Sequence, residues 1–450
     1  MTIAVSDNRW GFVRSLSGLA LPVVLANVSQ TMMGLVDTLM VGQLGASSLA
    51  AVGVATLAFS AVASALKSFD VAVQTIVARR VGEGRDGEVG AVVVTGLALA
   101  LVLGCVFTVI GMLWPDKAIS LVSSDPEVRT LGVDYLMFRV PGMLAFMAFF
   151  ILRGAFDGMG WTRIGMFAGI GMNVVNALLN WVLIFGQFGV EPLGVGGAGL
   201  ASSLASVSAV IVLVMVALRT KTRQRFRMVA PGNLQKKLVR PLLTLAWPAA
   251  VQVIGALSAV LVFFAILGRI STIAVAAASV VFRIAALSFM PAIGMGVAVQ
   301  TMVSQSLGRS EPDTAGRAAW TGVSLAMIVM GLFGIVFLAI PRTLMGFFAT
   351  DPELVAAGTP ILRMMGLVQI FDAVGLTLAG AVRGAGANRV VMTIDVVSAW
   401  MLFLPSAWYF GIYLDWGLSG AWIGVLTWFF SYALTMTVWF RRGTWRTYEV

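Results

Sequence analysis

Twelve apolar runs of about 20 residues or more limit what this chain can fold into. They fall near 14–42, 48–80, 88–114, 129–154, 163–187, 197–218, 241–268, 272–307, 315–340, 354–382, 389–413 and 418–440. A helix of that length crosses the hydrocarbon core of a bilayer, where every backbone group must be paired within the protein. The runs lack strand-type alternation and exceed the roughly ten residues of a barrel strand. Charged residues make up 11% of the chain, against about 25% in soluble domains. The expectation is an all-α integral membrane protein with about twelve transmembrane helices.

The net charge of +10 is distributed by loop. Arg9 and Arg14 precede the first run, and Arg79, Arg80 and Arg85 follow the second. A dense basic stretch, 219–240, follows the sixth, and Arg441, Arg442 and Arg446 follow the twelfth. Alternate loops carry Asp116, Asp125, Glu127, Glu191, Asp351, Glu353 and Asp415, with Lys117, Arg129, Arg269 and Arg342 as exceptions. Basic residues gather on the cytoplasmic side of membrane proteins. Both termini are therefore expected in the cytoplasm, in a multi-pass protein of a bacterial-type inner membrane. The charge reads as topology and not as a nucleic-acid site. The apolar run near the N-terminus leads into Gln43-Leu44-Gly45 with no small-residue cleavage site, and is kept as a span.

There is no histidine and one cysteine, Cys105. Imidazole metal ligands, Ser–His triads and histidine proton relays are excluded together, as is a disulfide framework. No enzyme is expected, and no cofactor.

The chain also repeats itself. When it is slid along itself until Pro22 lies on Pro248, Arg14 meets Arg240 and Gly42 meets Gly268 without a gap. In the same register Gln74-Thr75 meets Gln300-Thr301, and Asp125-Pro126-Glu127 meets Asp351-Pro352-Glu353. Gly154, Gly158, Gly160 and Arg163 meet Gly380, Gly384, Gly386 and Arg389. This is a duplicated six-helix unit. An even number of spans gives both copies the same orientation, related by a pseudo-two-fold axis along the membrane normal, with substrate between them. The expected division is a lobe 1–218, a linker 219–240 and a lobe 241–450. The linker reads as a solvated basic anchor near anionic lipid heads.

Pro22 and Pro248 fall inside the first and seventh spans, as Pro141, Pro291 and Pro405 fall inside others, where a lost backbone bond bends a helix. Hinge and static kink are both open. Pro22 and Pro248 are the candidate hinges.

Inside the first run sits Asp37, five residues before Gly42, about 7.5 Å of helix rise from that end. A charge there costs about 2.5–3.5 kcal/mol unless it meets water or a partner. One reading is an acid near the interface that satisfies a backbone group. The other is a desolvated carboxylate that takes up a proton and gives it up when a cation arrives. Asn173, Asn176 and Asn180, spaced by three and four in the fifth span, share one helix face and suggest a cavity wall. Asp372 is a second acid within a span. Lys67 and Asp70 are expected to neutralise each other on one face, and Arg283 and Asp395 are candidates to pair across helices. Gly158-Met159-Gly160 and Gly384-Ala385-Gly386 follow spans, not strands, and are turns, not nucleotide sites.

The assembled residues resemble the multidrug and toxic compound extrusion (MATE) family. The resemblance rests on Pro22 with Val36-Asp37-Thr38-Leu39-Met40-Val41-Gly42-Gln43-Leu44-Gly45, and on Ala78-Arg79-Arg80-Val81-Gly82-Glu83-Gly84. Gly380-Ala381-Val382-Arg383-Gly384-Ala385-Gly386 and Trp400 with Pro405 add to it. It implies twelve helices in two lobes forming a V, exporting organic cations in exchange for protons or sodium ions. Asp37 then matches the family's cation-coupling acid, grouped with Asn176, Asn180 and Asn173. Many relatives carry aspartate where Asn180 stands, and a sodium site favours several oxygens and more than one charge. Proton coupling is therefore the expectation, with sodium at Asp37 or Asp372 as the alternative.

Asp372 matches an acid of the sodium-coupled bacterial branch. Its acidic partner expected in the seventh span is absent, Gln252 being the only strongly polar residue there before Arg269. Asp372, Gln252, Met33 and Gln30 are the candidates for substrate or a second ion. Methionines such as Met32, Met33 and Met364 adapt to varied shapes, and aromatic rings attract cations. Cationic amphiphiles are the expected substrates, and membrane lipids the surroundings of a monomer. The rival reading is a flippase for lipid-linked saccharides, but such proteins line the cavity with basic residues. No P-loop is present to use ATP, so an ion gradient is the expected energy source.

Overall fold

The computed structural model describes residues 9–120 and 122–448. Among them are twelve helices long and apolar enough to span a membrane. These are α1 (Trp10–Gly42), α2 (Ala46–Gly82), α3 (Asp86–Leu113), α4 (Pro126–Gly158), α5 (Thr162–Phe185) and α6 (Gly194–Leu218). There follow α7 (Lys236–Ile270), α8 (Thr272–Gly308), α9 (Pro312–Ala339), α10 (Pro352–Gly384), α11 (Asn388–Tyr413) and α12 (Gly417–Arg441). No strand occurs among the described residues.

The duplicated motifs have local structural reasons. Asp125 caps α4, its Oδ1 accepting from the backbone N–H groups of Glu127 at 2.9 Å and Val128 at 3.2 Å. Asp351 caps α10 in the same way, accepting from Glu353 at 2.9 Å. Proline then stands where a helix has no N–H to lose, and glutamate follows in the first turn, where it favours the helix dipole. The repeated glycines mark close helix crossings. A Cβ on Gly154 or Gly158 would strike the backbone carbonyls of Asp70 and Gln74 on α2. A Cβ on Gly380 or Gly384 would strike those of Gly296 and Gln300 on α8. The four contacts are two pairs related by the register that lays Pro22 on Pro248, so the repeat extends to how helices pack.

The chain divides into two compact units, which do not follow the lobes of the repeat. One holds Met1–Val24 with Val251–Val450, the other Leu25–Ala250. The chain passes between units at equivalent places, two residues after Pro22 and two after Pro248. Each duplicated half thus lends the first part of its leading helix to the other unit. In one unit Gly294 of α8 packs on Ala20 and Val24 of α1. In the other the hydroxyl of Ser68 donates to the carbonyl of Ala246 on α7, at 3.3 Å. These contacts are again equivalent in the repeat.

The first unit has its apolar core around α8 and α10, with Val299, Met302, Met365 and Leu378 almost fully buried. Here α11 departs from regular α-helix in two π-helical stretches, Ser398–Phe403 and Tyr409–Tyr413. Trp400 donates its indole N–H to the carbonyl of Gly255 at 3.1 Å.

The second unit breaks two helices. α2 is interrupted at Ser68 and α4 at the 3-10 turn Val140–Gly142, which contains Pro141. The basic linker differs from the solvated anchor expected. Its helix Thr220–Phe226 buries Phe226, which is 1% exposed and packs edge-on against Trp161. Asn233 is buried too, donating to the carbonyl of Arg227 at 2.8 Å, while its own carbonyl accepts from Thr95 at 3.3 Å. Gly90 on α3 lies so close to the Arg227 carbonyl that no side chain fits between them. Lys221, Arg223, Lys236 and Lys237 are exposed as the sequence suggests, while Arg225 pairs with Asp86 at 2.7 Å, the Arg227 side chain packs beside Gly87, and an apolar anchor holds the backbone down.

Candidate functional site

The Leu25–Ala250 unit brings Asp37 and the α5 amides together. Asn180 donates its side-chain N–H to the Asp37 carboxylate. It also donates to the amide oxygen of Asn176 at 3.2 Å, and Asn176 donates to the Ser202 hydroxyl on α6 at 3.1 Å. Asn176 and Asn180 are fully buried, while Asp37 is partly exposed on a loosely packed stretch of α1. The side-chain oxygen of Asn180 is buried without a hydrogen-bond partner among the described residues. The result is a string with one carboxylate at its open end and neutral groups behind it.

Asn173 is not in this string. It donates to the Ser29 hydroxyl, one stretch nearer the start of α1. Gln30 and Met33 lie on the same helix, half-buried. Arg139 of α4 is buried, its guanidinium 4.0 Å from the Phe59 ring centroid, within electrostatic reach of Asp37. Neither Ser202 nor Arg139 stands out among many serines and arginines. The signal for Arg139 is a cation inside an apolar run.

The same unit buries a second polar group. Arg153 and Asp157, one helical turn apart on α4, form an ion pair at 3.6 Å, and Arg153 donates to Asn27 at 3.3 Å. Lys67 and Asp70, expected to neutralise each other, lie within electrostatic reach but form no ion pair at contact distance among the described residues. The break at Ser68 takes the two off one continuous helix face, and the Lys67 ammonium sits over Phe150, 4.6 Å from its centroid. A cation–π contact replaces the ion pair.

In the other unit Asp372 is 2% exposed and takes no hydrogen bond or ion pair among the described residues. Gln369, one turn earlier on α10, is fully buried, and neither of its amide atoms has a hydrogen-bond partner among the described residues. Asp395 lies within electrostatic reach of Asp372. Its carboxylate accepts from Gln252 at 2.7 Å and from the Trp428 indole at 3.0 Å. Gln252 in turn accepts from Arg383 at 2.8 Å. The pairing considered between Asp395 and Arg283 is absent: Arg283 is exposed on α8, and neutral donors satisfy Asp395. Gln252 is a bridge between a cation and an acid, which leaves Asp372 as the acid of this cluster with its oxygens unengaged. Trp428 and Tyr432 of α12 complete its surroundings, Tyr432 packing on Gly375.

Comparison with known proteins follows the same outline. The MatE family matches twice, over residues 22–182 and 248–409, beginning at the two equivalent prolines. A "probable multidrug resistance protein NorM" of Synechococcus sp. is 30% identical over 413 residues, covering 90% of this chain and 89% of that protein. The "multidrug resistance protein MdtK" of Yersinia pseudotuberculosis is 29% identical over 442 residues, covering 94% of each. Among solved structures, one described as MATE in the straight conformation superposes with a TM-score of 0.89 at 20% identity, covering 98% of this chain and 97% of the other.

Proposed function

The chain belongs to the MatE family of membrane transporters, and from that premise we propose that it exports organic cations in exchange for protons by alternating access. Relatives named as multidrug resistance proteins support the export of varied compounds. The observation that carries proton coupling is the Asp37–Asn180–Asn176–Ser202 string, in which a single carboxylate faces neutral amide and hydroxyl groups.

Asp37 has two charge states, and each suits one passenger. Deprotonated, it accepts the Asn180 N–H and attracts an organic cation. A proton on the carboxylate cancels that attraction, so the cation leaves. Loss of the proton on the other side restores the charge, and the cycle exchanges one positive charge for another. A bare sodium ion instead needs several oxygens together. Here the amide turns an N–H donor toward the acid, and one oxygen, that of Asn180, is left over. Sodium at this place is the alternative that the same oxygen supports.

Asp372 is assigned to a second cationic group, either of the substrate or of an ion, with Gln30 and Met33 toward the substrate path. Pro22 and Pro248 serve as hinges, next to the places where the chain passes between the two compact units, and the linker 219–240 serves as a cytoplasmic tie between the repeats 1–218 and 241–450. The protein works as an inner-membrane monomer with both termini in the cytoplasm.

Proton release tests the reading. Adding a fluorescent organic cation to purified wild-type protein in weakly buffered detergent should release protons to a pH dye. The Asp37→Asn variant, which lacks the charge as the protonated acid does, should bind the cation more weakly and release no protons. Equal release from both proteins would remove Asp37 from coupling.

A further inference from the structure

A cavity of about 930 Å³ lies in the unit that contains α9 and α12. It forms where α9 begins, at Pro312, and α12 ends, at Arg441, at the ends of two helices of membrane-spanning length. Its floor is aromatic. Trp445 is 1% exposed and stacks on Phe440, with centroids 4.6 Å apart and planes 3° from parallel. The indole N–H of Trp445 donates to the Phe440 carbonyl at 2.8 Å. Gly443, with φ at 76°, makes the left-handed turn that folds Trp445 back under the end of α12.

The rim is cationic. Arg317, Arg441, Arg442 and Arg446 line the cavity, against one acid, Asp313. Asp313 is engaged by Arg446 at 3.0 Å. Arg441 and Arg442 meet no acid among the described residues, and both are exposed. Arg441 lies 5.5 Å from the Trp320 ring centroid and Arg317 5.3 Å from that of Phe12. The aromatic rings hold the guanidinium groups over the opening.

The other unit shows what such a place takes. In the register of the repeat, Asp313 and Gly316 correspond to Gly87 and Gly90, and there the linker backbone and side chain at Arg227 fill the space. Around Gly316 the neighbouring atoms are the Trp445 ring, and the space beyond it is the cavity.

We propose that this cavity binds a phosphate-bearing anion, with the arginines on the phosphate and the aromatic floor beneath the apolar part of the molecule. Guanidinium forks match phosphate oxygens in pairs, which lysine does not do. Basic pockets at the ends of membrane helices take anionic headgroups for that reason. The phosphate comes from a membrane phospholipid or from a soluble phosphate, and binding separates the sources.

The test uses full-length protein in detergent, titrated with phosphatidylglycerol, with phosphatidylcholine and with inorganic phosphate, and read by native mass spectrometry. Retention of phosphatidylglycerol in preference to phosphatidylcholine identifies a headgroup site, and retention of inorganic phosphate identifies a soluble-anion site. In either case the triple variant Arg317→Gln, Arg441→Gln, Arg442→Gln should bind about tenfold more weakly. The triple variant Lys117→Gln, Arg269→Gln, Arg342→Gln removes equal charge from exposed positions outside both the cavity and the linker and should bind as wild type does. Arg441→Gln alone, at an exposed position, gives the same direction should the triple variant fail to fold. Equal loss in both triple variants, or retention of none of the three probes, overturns the proposal.

Discussion

Asn180 donates its amide N–H to the carboxylate of Asp37, joining α5 to α1 across 143 positions of the chain. The amide cannot neutralise the acid, so the charge at the open end of the string is governed by what arrives there. Replacing Asn180 with aspartate places two carboxylates in contact, an arrangement that a cation with several open coordination positions relieves. Asn180→Asp should therefore gain sodium-stimulated efflux where wild type has none, measured in proteoliposomes under a sodium gradient at equal internal and external pH.

Gln252 ties Arg383 to Asp395, with contacts of 2.8 Å and 2.7 Å. Gln252→Leu keeps the volume roughly and leaves buried polar groups with fewer partners. The expected loss is about 1–3 kcal/mol of stability. A lower thermal midpoint in detergent checks it, and an unchanged midpoint would show that water replaces the amide.

Gly90 allows the linker backbone at Arg227 to lie against α3. Gly90→Ala should push the linker off without unfolding the helices. Trypsin should then cut after Arg223, Arg225 or Arg227 about tenfold faster than in wild type, since cleavage follows local opening.

Pro22 and Pro248 stand two residues before the points where the chain passes between compact units. Alanine at either place restores a backbone donor and straightens the helix. Pro248→Ala should bind a fluorescent cation with unchanged affinity but transport it about tenfold more slowly. Unchanged transport would make the proline a static kink.

The twelve spans are legible because apolar run length answers directly to bilayer thickness. The repeat is legible because Asp125 and Asp351 cap helices and Gly154 and Gly380 allow close crossings, roles that tolerate few other residues. The exchange of α1 and α7 segments between units is invisible, because a periodic pattern says which face is apolar and not which neighbour covers it. The same limit explains the amides. Spacing places Asn173, Asn176 and Asn180 on one face, yet tertiary packing sends the first to Ser29 and the last to Asp37. It explains Lys67 as well, since nothing local marks the helix break at Ser68. Phe226 is one aromatic in a run of cations, and its burial depends on Trp161, far away in the chain.

The most direct test of the account is efflux of a fluorescent cation from proteoliposomes, wild type beside Asp37→Asn, under a proton gradient alone and then a sodium gradient alone. The account predicts proton-driven efflux in wild type that is lost in Asp37→Asn, while that variant remains folded and inserted. Full proton-driven efflux in Asp37→Asn, or efflux that responds only to sodium, would contradict it.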